Sequence, residues 1–356
     1  MRLSHNHILT FLFLILLQNN CAERYDIDTD NNFGLLVLDG GISDQPGPYF
    51  INLSTTRSAT RKPDPLPGAA ITISDDKGNS ESLNEIELGK YKLEGLIVKG
   101  RPNGVYKLNI ELSDGRKFES TPEIMAKDST PVDSYSIQVI KEKVITPSGI
   151  ESSYWMVKVY LDTQLPETDK TSFYRWSVAE VWLFLPTCTP GAISCPRNCY
   201  IFEPNTTYNL VLLKSSDYAL QNLRNLSLLS RGIDISFSSR HYFNITQHSI
   251  NSNAYQYWSK VEQLISKRGS IFDSPPATII GNIKNISNPN EPVFGYFEVS
   301  ATQLRRIYID RGQIPTFVET CIFGAIDFDP SYQQKRCFFC EALEGSTVER
   351  PAWFKL

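Results

Sequence analysis

Alternating apolar and polar residues in the first third of the chain predict a series of short β-strands. Apolar residues alternate with polar ones from Tyr106 to Leu112, and Asp114-Gly115 follows as a turn. Comparable segments recur at a spacing of roughly ten residues, separated by Gly and Asp turns. Regular short strands with such turns are typical of an antiparallel sandwich. We therefore predict an Ig-like or transthyretin-like N-terminal β-sandwich domain over residues 33–127.

The pattern beyond a polar linker at residues 128–131 predicts a larger, β-rich second domain over residues 132–356. Alternation returns from Trp155 to Leu161, and aromatic residues crowd the long segment from Phe173 to Leu185. Further apolar segments follow, and the chain ends in a cysteine-bearing tail. The prediction is a mostly β protein with one conspicuous helix.

That helix is predicted over residues 253–267, where the apolar positions are Tyr257, Trp258, Val261, Leu264 and Ile265. Their spacing places them on one face of a helix, which we expect to pack against a sheet. Gly295, in the aromatic strand that follows, indicates a bulge or a close backbone approach. Two interpretations stay open for the aromatic residues here: a scaffold that joins helix to sheet, or a binding groove edged by Tyr255, Tyr257, Trp258 and Tyr296.

Composition and charge restrict the function classes. The chain has 356 residues, of which 41% are hydrophobic and 21% charged, as is ordinary for a globular protein. The formal net charge is −4, and no basic run is present that would neutralise phosphates. We therefore predict no nucleic-acid partner.

The N-terminus has the features of an export signal and is predicted to be a signal peptide over residues 1–20. Its apolar run, Ile8 to Leu17, is shorter than the roughly 20 residues that span a bilayer. Cys21 follows at once and resembles the acylated cysteine of bacterial lipoproteins, so we predict a lipid anchor there. The acidic tether over residues 21–32 resembles a surface-export signal, although a solvated linker explains it as well. An ordinary cleaved signal with Cys21 paired or free is the alternative.

The remaining cysteines point to an oxidising compartment. The chain has seven cysteines, and setting Cys21 aside leaves an even number, which favours disulfides in an exported protein. The candidates allow many pairings, which the sequence does not rank: Cys188, Cys195, Cys199, Cys321, Cys337 and Cys340. Two less favoured interpretations are a zinc site built from Cys195, Cys199, Cys337 and Cys340, and a redox role for the C-x-x-C pair at 337 and 340.

The sequence contains no recognisable catalytic constellation, so we predict no catalytic residues, metal or cofactor. His241 and His248 are seven residues apart on a predicted strand, which directs them to opposite faces. No phosphate-binding loop, zinc-protease motif or nucleophile elbow is present. Arg175 and Glu180 are expected to form solvated or structural ion pairs, and pairing with a ligand stays open. A carboxylate pair of the kind used by glycosidases leaves no sequence mark and stays open.

Several motifs together resemble a known family. They occur in the order GLLVLDGGISDQPGPYFINLS, FYRWSVAEVW, NCYIF, NAYQYW, FDSPPATIIGNI and FGYFEVS. The chain is similar to the Bacteroidetes lipoproteins of domain-of-unknown-function family 4249, over nearly all of the mature sequence. The resemblance implies an exported lipoprotein, often encoded near TonB-dependent outer-membrane transporters. It implies no enzymatic activity and no catalytic residues.

We therefore expect a lipoprotein of the outer membrane, anchored through Cys21 and facing the cell surface. Its expected role is a non-catalytic binding or accessory module for a TonB-dependent transporter. The first alternative is a structural or adhesive surface lipoprotein without a transporter. The second alternative is a hydrolase whose carboxylate site leaves no mark in the sequence.

Overall fold

The computed structural model describes residues 34–57, 63–127, 132–145, 149, 151–165, 171–185, 197–203, 210–219, 222–266, 279–318, 340 and 345–355. Its strands are β1 Leu36–Ser43, β2 Tyr49–Thr55, β3 Asp64–Pro65, β4 Ala70–Asp75, β5 Ser80–Ser82, β6 Asn84–Glu87, β7 Lys90–Leu93, β8 Val105–Glu111, β9 Lys117–Ser120, β10 Glu123–Ile124, β11 Val132–Ile145, β12 Glu151–Gln164, β13 Phe173–Phe184, β14 Cys199–Glu203, β15 Val211–Lys214, β16 Asn222–Gly232, β17 His241–Ile250, β18 Ile283–Asn285, β19 Phe294–Ile309 and β20 Ser346–Thr347. The α-helix α1 spans Ser252–Ser266, and short 3-10 turns occur at 215–217, 235–237 and 311–313. The prediction of a mostly β protein with one α-helix is confirmed for the part of the chain that the structure describes.

The strands form three sheets. The large sheet has the order β20-β14-β13-β17-β19-β1-β2-β7-β6, with β15 beside β13 and β3 beside β2. A six-stranded sheet has the order β18-β9-β8-β4-β5, with β10 on β8, and a three-stranded sheet has the order β11-β12-β16.

Strand β19 joins the two halves of the large sheet. Its first half pairs in parallel with β1, from Val37 opposite Phe294 to Ser43 opposite Ser300. Its second half pairs antiparallel with β17, down to Ile309 opposite His241. One long strand therefore carries the sheet from the N-terminal part of the chain into the remainder.

Two large hydrophobic cores lie on the same face of this sheet. The first is shared with the six-stranded sheet and combines residues 36–125 with residues 283–299 of the distant β18–β19 segment. The second is shared with the three-stranded sheet. The alternation predicted around Tyr106 is borne out, because Tyr106, Leu108 and Ile110 are all buried. The division at residue 127 and the Ig-like sandwich stay predictions.

The opposite face of the large sheet is covered at two places. Helix α1 packs over one end, where Ala254 and Ile250 are buried with Tyr296. The C-terminal residues 351–355 cover the other end, where Phe354 packs on Tyr242. None of the helices in the described ranges is long and apolar enough to cross a membrane.

Candidate functional site

The sheet face between α1 and the C-terminal residues carries small side chains, and we call this region the open strip. Its floor is formed by Ser177 opposite Thr246 and Ala179 opposite Asn244 on β13 and β17. All four are half-buried. β19 continues these two rows with the exposed residues Leu304 and Arg306. Short side chains on β13 and β17 therefore separate α1 from the C-terminal residues on the outer face.

A buried ion pair stands where the open strip meets α1. The Arg175 guanidinium donates from Nη2 to Glu298 Oε1 at 2.7 Å and from Nε to Glu298 Oε2 at 3.1 Å. Trp258 of α1 donates from its indole to Glu298 Oε2 at 2.7 Å, and its ring lies 4.6 Å from the Arg175 guanidinium. The bidentate geometry and the additional donor satisfy a carboxylate that would otherwise be costly to bury.

A hydrogen-bonded chain extends from this carboxylate onto the floor. His248 Nδ1 lies 3.1 Å from Glu298 Oε1, and His248 Nε2 lies 3.2 Å from Ser177 Oγ. Because an ionised carboxylate only accepts, Nδ1 carries the imidazole proton and Nε2 accepts from the Ser177 hydroxyl. Ser300 supports the arrangement by donating from Oγ to Glu298 Oε1 at 3.2 Å.

The electrostatics of the site hold Glu298 and His248 each in a single protonation state. Burial raises the pKa of the Glu298 carboxyl, but the Arg175 charge and the His248 hydrogen bond outweigh it, so the pKa lies well below its usual range. Burial, and then the Arg175 charge, lower the pKa of the His248 imidazole against the opposite influence of Glu298. The ionised carboxylate and neutral imidazole are therefore both stable at neutral pH.

The far wall of the open strip combines cations with aromatic rings. The Arg306 guanidinium lies 4.5 Å from the Trp353 ring centroid, and burial lowers its pKa. The Arg240 guanidinium lies 4.3 Å from the Tyr308 ring and binds Asp310 through two hydrogen bonds. Among the described residues, Arg306 has no carboxylate within ion-pair distance. This wall therefore presents one uncompensated cation on an aromatic surface.

The four aromatic residues of the predicted groove come together between α1 and the sheet. The ring centroids of Tyr257 and Tyr296 are 4.9 Å apart, and those of Tyr257 and Trp258 are 5.3 Å apart. Tyr255 packs on Phe173 at 4.8 Å. Burial, with a smaller contribution from Asp39, raises the pKa of Tyr257 to about 12. Their contacts join helix to sheet, and a binding role for them stays a prediction.

The two histidines lie on opposite faces of β17, as predicted. His241 is fully buried on the inner face, where Nε2 lies 2.6 Å from Glu180 Oε2 and the ring stacks on Phe237. Arg231 also binds Glu180. Burial raises the pKa of Glu180, but the His241 hydrogen bond and the Arg231 charge outweigh it and lower the pKa overall. Glu180 and Arg175 thus both form the ion pairs that were expected of them.

One predicted disulfide lies within the described residues. Cys199 on β14 is bonded to Cys340, which lies just before β20. Cys195 and Cys337, which the zinc interpretation also requires, lie outside the described residues. The lipidation candidate and the other four disulfide candidates lie outside the described residues: Cys21, Cys188, Cys195, Cys321 and Cys337. Within the described ranges, no group of three His, Cys, Asp or Glu residues is placed to hold a metal ion.

The centre of this site leaves almost no mark in the sequence pattern. Glu298, Ser300 and Ser177 stand at alternating positions of strands and carry no motif. Their only sequence signal is a polar residue on a strand whose neighbours are apolar, as in Tyr296-Phe-Glu-Val299. A charged residue at such a position indicates a partner on another strand, but not which one.

The fold and the site define a β-rich scaffold with a strip of small side chains on the outer face of the large sheet and one helix held by a buried ion pair. The chain belongs to the family described as "Domain of unknown function (DUF4249)", whose model matches residues 22–306. The resemblance to family 4249 is therefore confirmed. No curated protein matches the chain.

One similar solved structure is titled "Biofilm associated protein - BSP domain". It shares 8% identity at a TM-score of 0.15, and the alignment covers 77% of this chain. This chain spans 59% of the length of that protein. A similarity at this level carries no argument about fold or function.

Proposed function

We propose that this protein is an exported lipoprotein, anchored through Cys21, that serves as a non-catalytic binding or accessory module for a TonB-dependent outer-membrane transporter. The apolar segment before Cys21, the acidic residues behind it and the family membership support this proposal. The open strip is the observation that carries the binding role. It offers a small-residue floor, an aromatic wall and the cation of Arg306 to a partner.

The hydrogen bonding of the site favours a role in non-covalent binding over a role in catalysis. Glu298 is saturated by Arg175, Trp258 and His248, and a saturated carboxylate is a poor proton acceptor. This network also fixes the near wall, because Trp258 belongs to α1 and Glu298 to β19. A rigid surface loses little conformational entropy when a partner binds.

The proposed anchor limits where such a partner is found. The segment from Cys21 to Gly34 spans at most ~45 Å when fully extended. A protein held on this tether stays close to the membrane surface, within reach of the extracellular loops of a barrel. That proximity raises the effective concentration of a membrane partner without any additional contact.

Crosslinking in intact native cells tests the proposal. The protein is recovered through a C-terminal tag, and its partners are identified by mass spectrometry. We expect a stoichiometric outer-membrane barrel, with less of it recovered for Arg306→Ala. Arg305→Ala is the matched control, because the adjacent arginine on β19 faces the other side of the sheet. Recovery of the protein alone would favour the structural or adhesive alternative.

The chain Ser177–His248–Glu298 favours one second candidate, a serine hydrolase. In that case Ser177 Oγ attacks an ester carbonyl while its proton passes to His248 Nε2, and His248 gives that proton to the departing alcohol as the ester C–O bond breaks. Water, deprotonated by His248, then hydrolyses the acyl-Ser177 ester and releases the acid. A fluorophosphonate probe tests this candidate, with the labelled residue located by peptide mass. Labelling of Ser177 that is lost in His248→Gln would establish a nucleophile. If the probe does not label the folded wild-type protein, the serine hydrolase is excluded.

A further inference from the structure

We propose that the protein holds a second, enclosed ligand site between the large sheet and the three-stranded sheet, suited to a neutral sugar or polyol. The site is centred on Trp176, Gln247 and Gln303, with Ser249 and Tyr135 beside them, and we call these five residues the polar row. It lies on the opposite face of the large sheet from the open strip. No part of the proposed transporter role depends on it.

Strand register brings the polar row together. Trp176 is directly opposite Gln247, and Gln247 is directly opposite Gln303, across three adjacent strands. Directly opposite residues of an antiparallel pair share a face, with Cβ atoms about 4.5–5.5 Å apart. Ser249 follows two residues along β17 on the same face. Tyr135 enters from β11 of the facing three-stranded sheet, as one of the residues that pack against the second core.

Four polar side-chain atoms of this row are buried without hydrogen-bond partners among the described residues: both amide atoms of Gln247, Ser249 Oγ and Gln303 Oε1. The Tyr135 hydroxyl and the Trp176 indole interact with each other. Gln247 is 0% exposed, Trp176 1% and Ser249 2%. Native proteins pair nearly all such atoms. Leaving four of them unpaired would be a large cost against the small net stability of a typical domain.

The hydrogen-bond donors and acceptors of the polar row determine which class of ligand it can bind. The row offers an indole donor, an amide donor, two amide acceptors and two hydroxyls, and none of these groups is charged. Burial raises the pKa of Tyr135 to about 12, so its hydroxyl stays protonated. The nearest charge on this face is that of Arg305, two residues along β19 from Gln303, and it acts on the Tyr135 hydroxyl. A ligand with several hydroxyl groups both donates and accepts, as these atoms require.

The surroundings of the row also suit a sugar. Tyr174 stands next to Trp176, with ring centroids 6.0 Å apart and planes tilted by 41°. Val178 and Ile245 form the next row on the same face. Aromatic and aliphatic surface beside amide groups matches a sugar, which has apolar faces and polar edges.

The first test examines the wild-type full-length protein, purified from native cells without denaturant. Native mass spectrometry compares it with the same protein after unfolding, dialysis and refolding. We expect a neutral small molecule to be released, and D-glucose, N-acetyl-D-glucosamine or myo-inositol to raise the Tm of the refolded protein. A crystal structure with only ordered water in the row, together with no Tm response to these probes, would overturn the proposal.

A matched pair of variants then locates the binding. Gln247→Met keeps the length of the side chain and removes both amide atoms, and we expect it to weaken probe binding by about tenfold or more. Gln138→Met makes the same change at an exposed position of β11 and should leave binding intact. If Gln247→Met raises the Tm and no probe stabilises the wild type, its amide was unpaired and the site does not exist.

Discussion

Trp258 and Glu298 are joined by a hydrogen bond of 2.7 Å from the indole nitrogen to a carboxylate oxygen. This contact links α1 to β19, the strand that connects the two halves of the large sheet. The same carboxylate binds Arg175 and His248, so helix, sheet and open strip share one charged group. The position of the helix therefore depends on the protonation state of Glu298 and on its cationic partner.

Replacing Arg175 with Met should destabilise the fold by about 3–5 kcal/mol, because it leaves the Glu298 carboxylate buried without its cation. Chemical denaturation by urea measures this loss. Arg224→Met is the control: its partner is Asp162, and the Arg224 side chain is 58% exposed, so we expect less than about 1 kcal/mol. Equal losses in the two variants would show that Glu298 is not held as the structure indicates.

Stability should fall as the pH falls below the ordinary His248 pKa of 6.5. The pKa of His248 is lower in the folded protein, so the unfolded chain binds more protons in this window, and acid favours unfolding. His248→Gln should reduce the slope of the free energy of unfolding against pH in this range, by up to about 1.4 kcal/mol per pH unit. Urea midpoints between about pH 7.5 and about pH 5 measure the slope. A decline of the same slope in the variant contradicts the prediction.

The Glu298 carboxyl also makes stability fall as the pH falls, but in a lower pH range than His248. Its pKa is lowered from 4.5, so the stability that it contributes is present above that pH and lost as the pH falls further. The two contributions can therefore be measured in one titration.

Replacing Gly295 with Ala should cost about 3 kcal/mol or more. Its φ is 88°, and an added Cβ would lie 1.7 Å from the Leu38 carbonyl oxygen across the β1–β19 pair. Gly78→Ala tests the conformational cost alone, because its φ is 82° and nothing lies within 4 Å of an added Cβ. We expect about 1 kcal/mol there. Thermal denaturation compares the two variants, and a Gly295 variant no less stable than the Gly78 variant would exclude the close approach.

Replacing Cys340 with Ser should lower the free energy of unfolding by about 2–5 kcal/mol. The disulfide with Cys199 closes a sequence separation of 141 residues, which restricts the unfolded chain. Reductant should bring the wild type towards the stability of the variant. Peptide mapping without reduction identifies the pairing directly. A map that joins Cys199 to another cysteine would show that this connection is wrong.

Local patterns in the sequence predicted the elements well. The apolar spacing from Tyr257 to Ile265 placed the helix at 253–267, and the structure has Ser252–Ser266. The close approach predicted for Gly295 is also present. Such features depend on neighbouring residues, whose spacing the sequence displays directly.

Long-range pairing was not predictable in the same way. β18 begins only at Ile283, because the side-chain amide of Asn282 forms hydrogen bonds with the backbone of Phe297, 15 residues further along the chain. The partnership of Arg175 with Glu298 joins positions 123 residues apart. No spacing rule relates such positions, since three-dimensional register decides which polar residues meet.

The parallel pairing of β1 with β19 has a consequence for how the chain acquires its structure. β1 has β2 as an early neighbour, but its partner on the other side is complete only when residues 294–300 have also been made. Residues 283–299 also complete the hydrophobic core of the N-terminal part. Pairings this distant along the chain form slowly. Synthesis is therefore four-fifths complete before both edges of β1 can be paired and the N-terminal core can close.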